Sequence, residues 1–323
     1  MLLRFTPLRL KPCAVTGRCA KFPRNAKVKD QNTIESSPLF SIIIAVYNDW
    51  AVLEGCLQAL SLQERNSQFE VILVDDGSDQ VAPESVLHWR ESFPVTSLRQ
   101  DHAGISLARN KGIQASQGTV LVFVDADCRM LADCLAALEV KLDASPEQTC
   151  FQLHLVGDRA NVVGRAEELR LIALQSHLLL PDGHIRYLNT AGFAILRSKV
   201  SEDGNLFSPI AIRAEDTLLL ATLMRRGELP VFVPDATVRH AIPLSLFESL
   251  SKDVRSAYVE RRAYDVIASR GITIQLTNAD RRAIMASMWK ASAQDSIGRL
   301  SWFIVTGRQV LRLLISTVYR ILH

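Results

Sequence analysis

No glycine follows the first apolar run of the sequence, where the chain reads Tyr47-Asn48-Asp49-Trp50. A dinucleotide-binding turn needs closely spaced glycines there, so that backbone can approach a pyrophosphate. A nicotinamide-dependent dehydrogenase is therefore excluded, and a sugar nucleotidyltransferase disfavoured. No C-x-x-C pair occurs among Cys13, Cys19, Cys56, Cys128, Cys134 and Cys150, and no histidine run accompanies them, which argues against zinc. Such cysteine usage fits a reducing compartment, and Cys56, inside an apolar helical pattern, reads as core. No stretch is an uninterrupted apolar span: the best candidate, residues 301–322, is broken by Arg308, Arg312 and Arg320. The first thirty-odd residues lack the apolar core of a secretory signal. Internal repeats and low-complexity tracts are also missing.

What is present is enough apolar material for a large core. The chain has 323 residues, 48% of them hydrophobic, and a net charge of only +3. The charge is uneven. Residues 1–37 carry +6 and residues 297–323 carry +4, which leaves about −7 for the body between them. An acidic body argues against a nucleic-acid face. The spacing predicts three parts. Residues 1–37, with Pro7, Pro12 and Pro23, form a basic flexible arm, with an organelle transit peptide as the alternative. Residues 38–243 form an α/β domain, and residues 244–323 a helical extension. Its last helix reads either as an interfacial amphipathic helix touching a membrane surface or as a helix packed on the domain with its arginines in water. The expected location is cytoplasmic, free or peripheral on the cytoplasmic membrane face.

Four apolar runs are bounded by polar residues: 40–47, 69–74, 95–98 and 119–124. Runs apolar on both faces suggest parallel strands covered by helices. Helical periodicity fills the gaps. Leu53, Cys56, Leu57 and Leu60 form one face, with Asp49 placed to cap it. Ile105 to Ala115 and Leu131 to Leu142 follow the same period. This alternation predicts a doubly wound, mostly parallel sheet. Further strands are expected at 151–156, 192–197 and between Pro230 and Pro234. Helices are expected at 215–226, closed by Gly227, and at 245–269, 279–293 and 298–322.

In open α/β sheets, ligands bind outside the carboxyl ends of the strands. Here those ends carry Asn48-Asp49, Asp75-Asp76 and Asp125-Ala126-Asp127. Converging carboxylates repel one another, and a divalent cation with oxygen ligands, Mg²⁺ or Mn²⁺, is the natural compensation. Asp125 and Asp127 face one side of extended backbone, so both could serve one metal and one ribose. A phosphatase of the D-x-D type carries that motif after its first strand, whereas here it follows the fourth.

Four ordered blocks resemble family 2 glycosyltransferases of the GT-A fold: residues 41–49, 74–79, 104–112 and 124–127, within a match spanning roughly 38–240. The resemblance implies a nucleotide-diphospho-sugar donor carrying UDP, GDP or dTDP. It implies that Ala45 and Tyr47 line the base, that Asp76 with Asp75 bonds its edge, and that Arg109 approaches the nucleotide. Asp125 then faces ribose or metal, Asp127 is the main metal ligand, and His240 stands near the diphosphate or metal. Residues 213–220, beginning Arg213 and carrying Glu215-Asp216, resemble the family's acceptor block, with Asp216 as general base and Glu215 as its orienting neighbour. Residues 190–197, ending at Arg197, resemble an acceptor-side strand. Residues 201–207 depart from the family's usual acceptor sequence. The implied reaction is an inverting, metal-assisted transfer to a hydroxyl of a glycan, lipid-linked or polysaccharide-precursor acceptor, in cell-envelope or polysaccharide synthesis. The alternative is a catalytically inactive binding or assembly protein on the same fold.

Overall fold

The computed structural model describes residues 37–64, 68–209, 214–241, 245–251, 253–254 and 276–322. The expected basic arm before Ser37, Arg213 and most of the expected 245–269 helix lie outside the described residues. Those described from Ser37 onward belong to one compact unit.

Eight strands form one sheet: β1 (Phe40–Val46), β2 (Phe69–Asp75), β3 (Val95–Arg99), β4 (Val120–Phe123), β5 (Cys128–Met130), β6 (Cys150–Gly157), β7 (Phe193–Leu196) and β8 (Val231–His240). Their spatial order is β3-β2-β1-β4-β7-β6-β8-β5. The β3-β2-β1-β4 half is parallel throughout, as is the β6–β8 pair. The β4–β7, β6–β7 and β5–β8 pairs are antiparallel, so the sheet is mixed, with parallel pairs in the majority. Because β7 runs against both β4 and β6, the strands β4, β6 and β8 point the same way. Their carboxyl ends, with the start of β7, therefore share one edge with the ends of β1 and β2.

Side-chain alternation sorts the core by face. Ile42, Ile44, Val71, Leu73 and Val122 pack against the helices α1 (Trp50–Ser61) and α4 (Cys134–Ala144), which bury Leu53, Cys56, Leu57, Leu135 and Leu138. The short α2 (Glu84–His88) adds Val86 to this side. Ile43, Ile72, Leu121 and Phe123 face the other way, against α3 (Ile105–Ala115) and α6 (Glu215–Arg225). A third cluster joins α5 (Val162–Leu178), α7 (Asn278–Ala291) and α8 (Gly298–Leu322) through Leu169, Ala173, Ile284, Met288 and Val305.

Several expectations change in detail. Asp49 occupies the N-cap of α1, but its side chain makes no cap bond; its carbonyl accepts from Val52 and Leu53 instead. Leu131 precedes α4, and its N–H donates to the Thr237 carbonyl within β8. The strand expected between Pro230 and Pro234 runs on to His240, because a register irregularity opposite Leu153 and His154 lets Pro234 sit where no ladder donor is needed. Arg197 lies at the far end of β7, where it donates to the Gly118 carbonyl (2.6 Å) and the Ser116 hydroxyl (2.8 Å) and so fastens α3 to the start of β4.

Gly112 sets the depth of α3. A Cβ there would come within 2.5 Å of Ile43 Cγ2 and 3.3 Å of Val74 Cγ2. Gly112→Ala should push α3 off the sheet and lower stability in urea unfolding by about 1–3 kcal/mol, although alanine is the better helix former.

Candidate active site

The carboxyl edge of the sheet gathers polar groups from β1, β2, β3, β4 and β8, from α3 and α6, and from the turn before β7. At the end of β2, Asp75 and the following Asp76 are both buried and both engaged with protein. Asp75 accepts from the Ser78 N–H (2.8 Å), which forms the turn through Gly77, and from the Arg99 guanidinium (2.6 Å). Asp76 accepts from Gln100 Nε2 (2.7 Å) and from the N–H groups of Ala103 and Gly104 (both 2.9 Å). It therefore shapes the 100–104 loop that leads into α3. That loop carries His102, whose ring stacks on Tyr47 with centroids 4.2 Å apart. Tyr47 is exposed and Ala45 partly buried, so the end of β1 presents an aromatic face flanked by small backbone. Asn48 takes a positive φ of 59° and exchanges hydrogen bonds with Asp79, closing this rim.

Arg109 stands at the centre. It projects from α3, is buried, and bonds Asp125 Oδ1 at 2.8 Å and Glu215 Oε1 at 3.0 Å. Burial alone would disfavour its charge; Asp125, Glu215 and Asp216 together outweigh that and raise its pKa. Phe207 packs against the guanidinium at 5.4 Å. The neighbouring Asn110 clasps the backbone of Leu206 and Phe207. The segment that departs from the family pattern is thus seated directly on α3, forming the wall beside Arg109.

On one side of Arg109 lies the Asp125-Ala126-Asp127 turn. Asp127 Oδ2 and His240 Nε2 are 3.1 Å apart, and the Ala241 N–H donates to the Asp127 carbonyl (2.9 Å), tying the end of β8 to this turn. Burial works against protonation of His240, but Asp127, Glu167 and Asp125 raise its pKa nonetheless. Ligand atoms of Asp127, His240 and Cys128 all lie within 4.8 Å of one another. The Asp127 carboxylate offers the oxygen that Mg²⁺ or Mn²⁺ favours, and the His240 imidazole a nitrogen that Mn²⁺ accepts more readily than Mg²⁺. The Cys128 thiol is buried, and that burial together with Asp127 and Asp125 pushes its pKa well above the usual thiol value.

On the other side lies the start of α6. Asp216 Oδ1 accepts from the Thr190 hydroxyl at 2.6 Å, across from the turn that precedes β7. Burial, then the neighbouring Glu215 and the more distant Asp125, push the Asp216 carboxyl up to about 7 against the opposing pull of Arg109 and Thr190. A carboxyl poised there can take a proton from a hydroxyl near neutral pH.

The structure thus brings Arg109, Asp125, Glu215 and Asp216 together, with Asp127 and His240 beside them and Tyr47 on the rim at the end of β1. Thr190 opens the 190–197 block that resembles the acceptor-side strand, although its contact with Asp216 was not foreseen. His102 and Arg99 lie beside the same edge and were not singled out from the sequence; a polar residue at or just after a strand end was the only available signal for them. Glu167 was also missed; it is paired with Arg170, and burial notwithstanding, that arginine holds it down to about 2.

Solved structures of similar architecture carry nucleotides. A mannosyltransferase, PcManGT from Pyrobaculum calidifontis, in complex with GDP-Man and Mn²⁺, matches with a TM-score of 0.61 at 18% identity, over 88% of this chain and 87% of that one. Staphylococcus aureus TarS 1–349 in complex with UDP matches with a TM-score of 0.53 at 16% identity, over 88% of this chain and 92% of that one. These likenesses show the fold, GT-A. Among curated relatives, the uncharacterized glycosyltransferase YibD of Escherichia coli (strain K12) is 36% identical over 95 residues, 29% of this chain and 27% of its own length. The uncharacterized glycosyltransferase EpsJ of Bacillus subtilis (strain 168) is 35% identical over 121 residues, 37% of this chain and 33% of its own length. The matches span about a quarter to a third of such relatives. The family model described as glycosyl transferase family 2 matches residues 41–204, half of the chain, and the chain belongs to that family.

Proposed function

We propose that the protein transfers a sugar from a nucleoside-diphosphate donor to an acceptor hydroxyl with inversion at the anomeric carbon. The observation that carries this reading is the Arg109 bridge. It joins a carboxylate of the D-x-D turn to a carboxylate beside the candidate base, so donor and acceptor functions face one cleft. The match to structures holding GDP-Man with Mn²⁺, or UDP, supports a nucleotide-sugar donor of the UDP, GDP or dTDP type.

In this reading the base stacks on Tyr47 beside Ala45, either against or in place of His102. Asp75 and Asp76 act through the loop they hold, and Asp76 offers the base edge its remaining acceptor capacity. Asp125 and Arg109 meet the ribose and diphosphate. Asp127 and His240, with Asp125 adjacent, hold Mg²⁺ or Mn²⁺, which supplies charge stabilisation for the departing diphosphate when bound. Asp216, oriented by Thr190 and kept apart from the metal side by Glu215 and Arg109, accepts the proton of the attacking hydroxyl. The acceptor is a glycan or lipid-linked hydroxyl.

Two measurements test the assignment. In a thermal-shift screen of UDP, GDP and dTDP with Mn²⁺, one nucleotide should raise the melting temperature of the wild type, and Asp127→Ala should abolish the metal-dependent part. A wild type that binds such a donor yet turns over none with glycan or lipid-linked acceptors would favour the inactive binding protein.

Asp216→Asn should keep donor affinity within about twofold and lose about 10²–10⁴ in transfer rate. Wild-type transfer should rise with pH through about 7, as the Asp216 carboxyl ionises. Stability should move oppositely. A carboxyl whose folded pKa is raised stabilises fully below its unfolded value, and that stabilisation is lost as pH rises through the folded one. Asp216→Asn should therefore melt above wild type, with the gap opening between about pH 4 and 7 and level beyond.

A further inference from the structure

The outer face of α8 is more apolar than the fold requires. Leu300, Phe303, Val310, Leu314 and Val318 recur at helical spacing along one stripe, each between 49% and 61% exposed. Gly307 lies within the stripe, and a Cβ there would meet nothing within 4 Å. The opposite face is already in use. Val305 packs in the cluster with α5, and the Ser301 hydroxyl donates to the Val162 carbonyl (3.0 Å).

The arginines do not do what their spacing suggested. Arg308 and Arg312 both pair with Asp253, at 2.5 and 3.4 Å, Arg308 largely buried and Arg312 partly exposed. Among the described side chains the stripe is therefore uncharged, and exposed cations sit at one end. There the Arg299 guanidinium lies 3.6 Å over the Trp289 ring, Trp289 meets Trp302 at 4.8 Å, and Lys290 is exposed. No acidic residue occurs from Ser296 to His323.

We propose that this stripe docks on an anionic lipid surface, lying in the plane of the headgroups. Exposed aliphatic and aromatic side chains enter the acyl boundary, while Trp289, Arg299 and Lys290 stay at headgroup level, where an apolar body with a polar tip is most at home. The charge pattern selects this occupant. A second copy docked stripe to stripe would cover the apolar side chains but offer no anionic counter-charge from this helix to Arg299 and Lys290, whereas an anionic headgroup layer complements both. No helix among the described residues is long and apolar enough to cross a membrane, so the contact is peripheral. The inference is independent of the transfer reaction.

The test is co-sedimentation of the full chain with vesicles of phosphatidylcholine alone or mixed with phosphatidylglycerol. Wild type should pellet with the anionic vesicles, less so as salt is raised. Gly307→Asp, which places a charge in open space, should weaken that binding about tenfold while leaving the melting curve intact. Gly307→Arg should retain it. Leu314→Asp provides a second disruption. The proposal is overturned if wild type pellets with neither vesicle, or if Gly307→Asp binds as well as wild type, which would place the contact on another basic segment such as residues 1–36. It is equally overturned if ultracentrifugation shows a dimer that Gly307→Asp dissociates.

Discussion

Two carboxylates distant in sequence, Asp125 after β4 and Glu215 at the start of α6, meet on one buried guanidinium. Neither would be stable so close to the other, with Asp216 adjacent, without that charge. A buried pair that loses one partner costs about 3–5 kcal/mol, and here a single arginine serves two. Arg109 is thus both a structural counter-ion and the reason the two sides of the cleft hold a fixed separation. Its planar fork suits this role in a way a lysine would not.

Much of the surrounding structure serves to place that side chain. Gly112 allows α3 to lie against Ile43. Asp76 fixes the loop entering α3 through three hydrogen bonds, and Asn110 pins the 206–207 backbone beside it. The antiparallel β7 brings Thr190 to the same edge as the carboxyl ends of β4 and β8, which is why a threonine 26 residues away reaches Asp216. The mixed sheet is therefore what lets acceptor-side residues face donor-side ones.

The parallel half was legible because β1, β2 and β4 are apolar on both faces and end in acids. The later half was harder for particular reasons. Three residues of β5 carry no period, and Pro234 hides the continuity of β8. The helix α5 escaped notice because its buried residues include Arg165, Glu167 and Glu168, which form ion pairs with one another, with Arg170 and with Asp295 and so interrupt the apolar period of Leu169 and Ala173. In the site, acids at a strand end pointed to Asp125 and Asp127, while Arg109 and Asp216 were reached through the family resemblance of residues 104–112 and 213–220. The contact between Arg109 and Glu215 spans 106 positions, and no local pattern encodes it. The pairing of Arg308 and Arg312 was invisible for the same reason: their partner, Asp253, lies on a different helical segment.

The central claim is that Arg109 couples the two carboxylate sides. A double-mutant cycle with Asp125→Asn and Glu215→Gln, read in transfer rate and in unfolding free energy, tests it most directly. The account expects an interaction energy above about 0.5 kcal/mol in both readings, because each substitution changes what the shared guanidinium does for the other. Additive effects in both would contradict it.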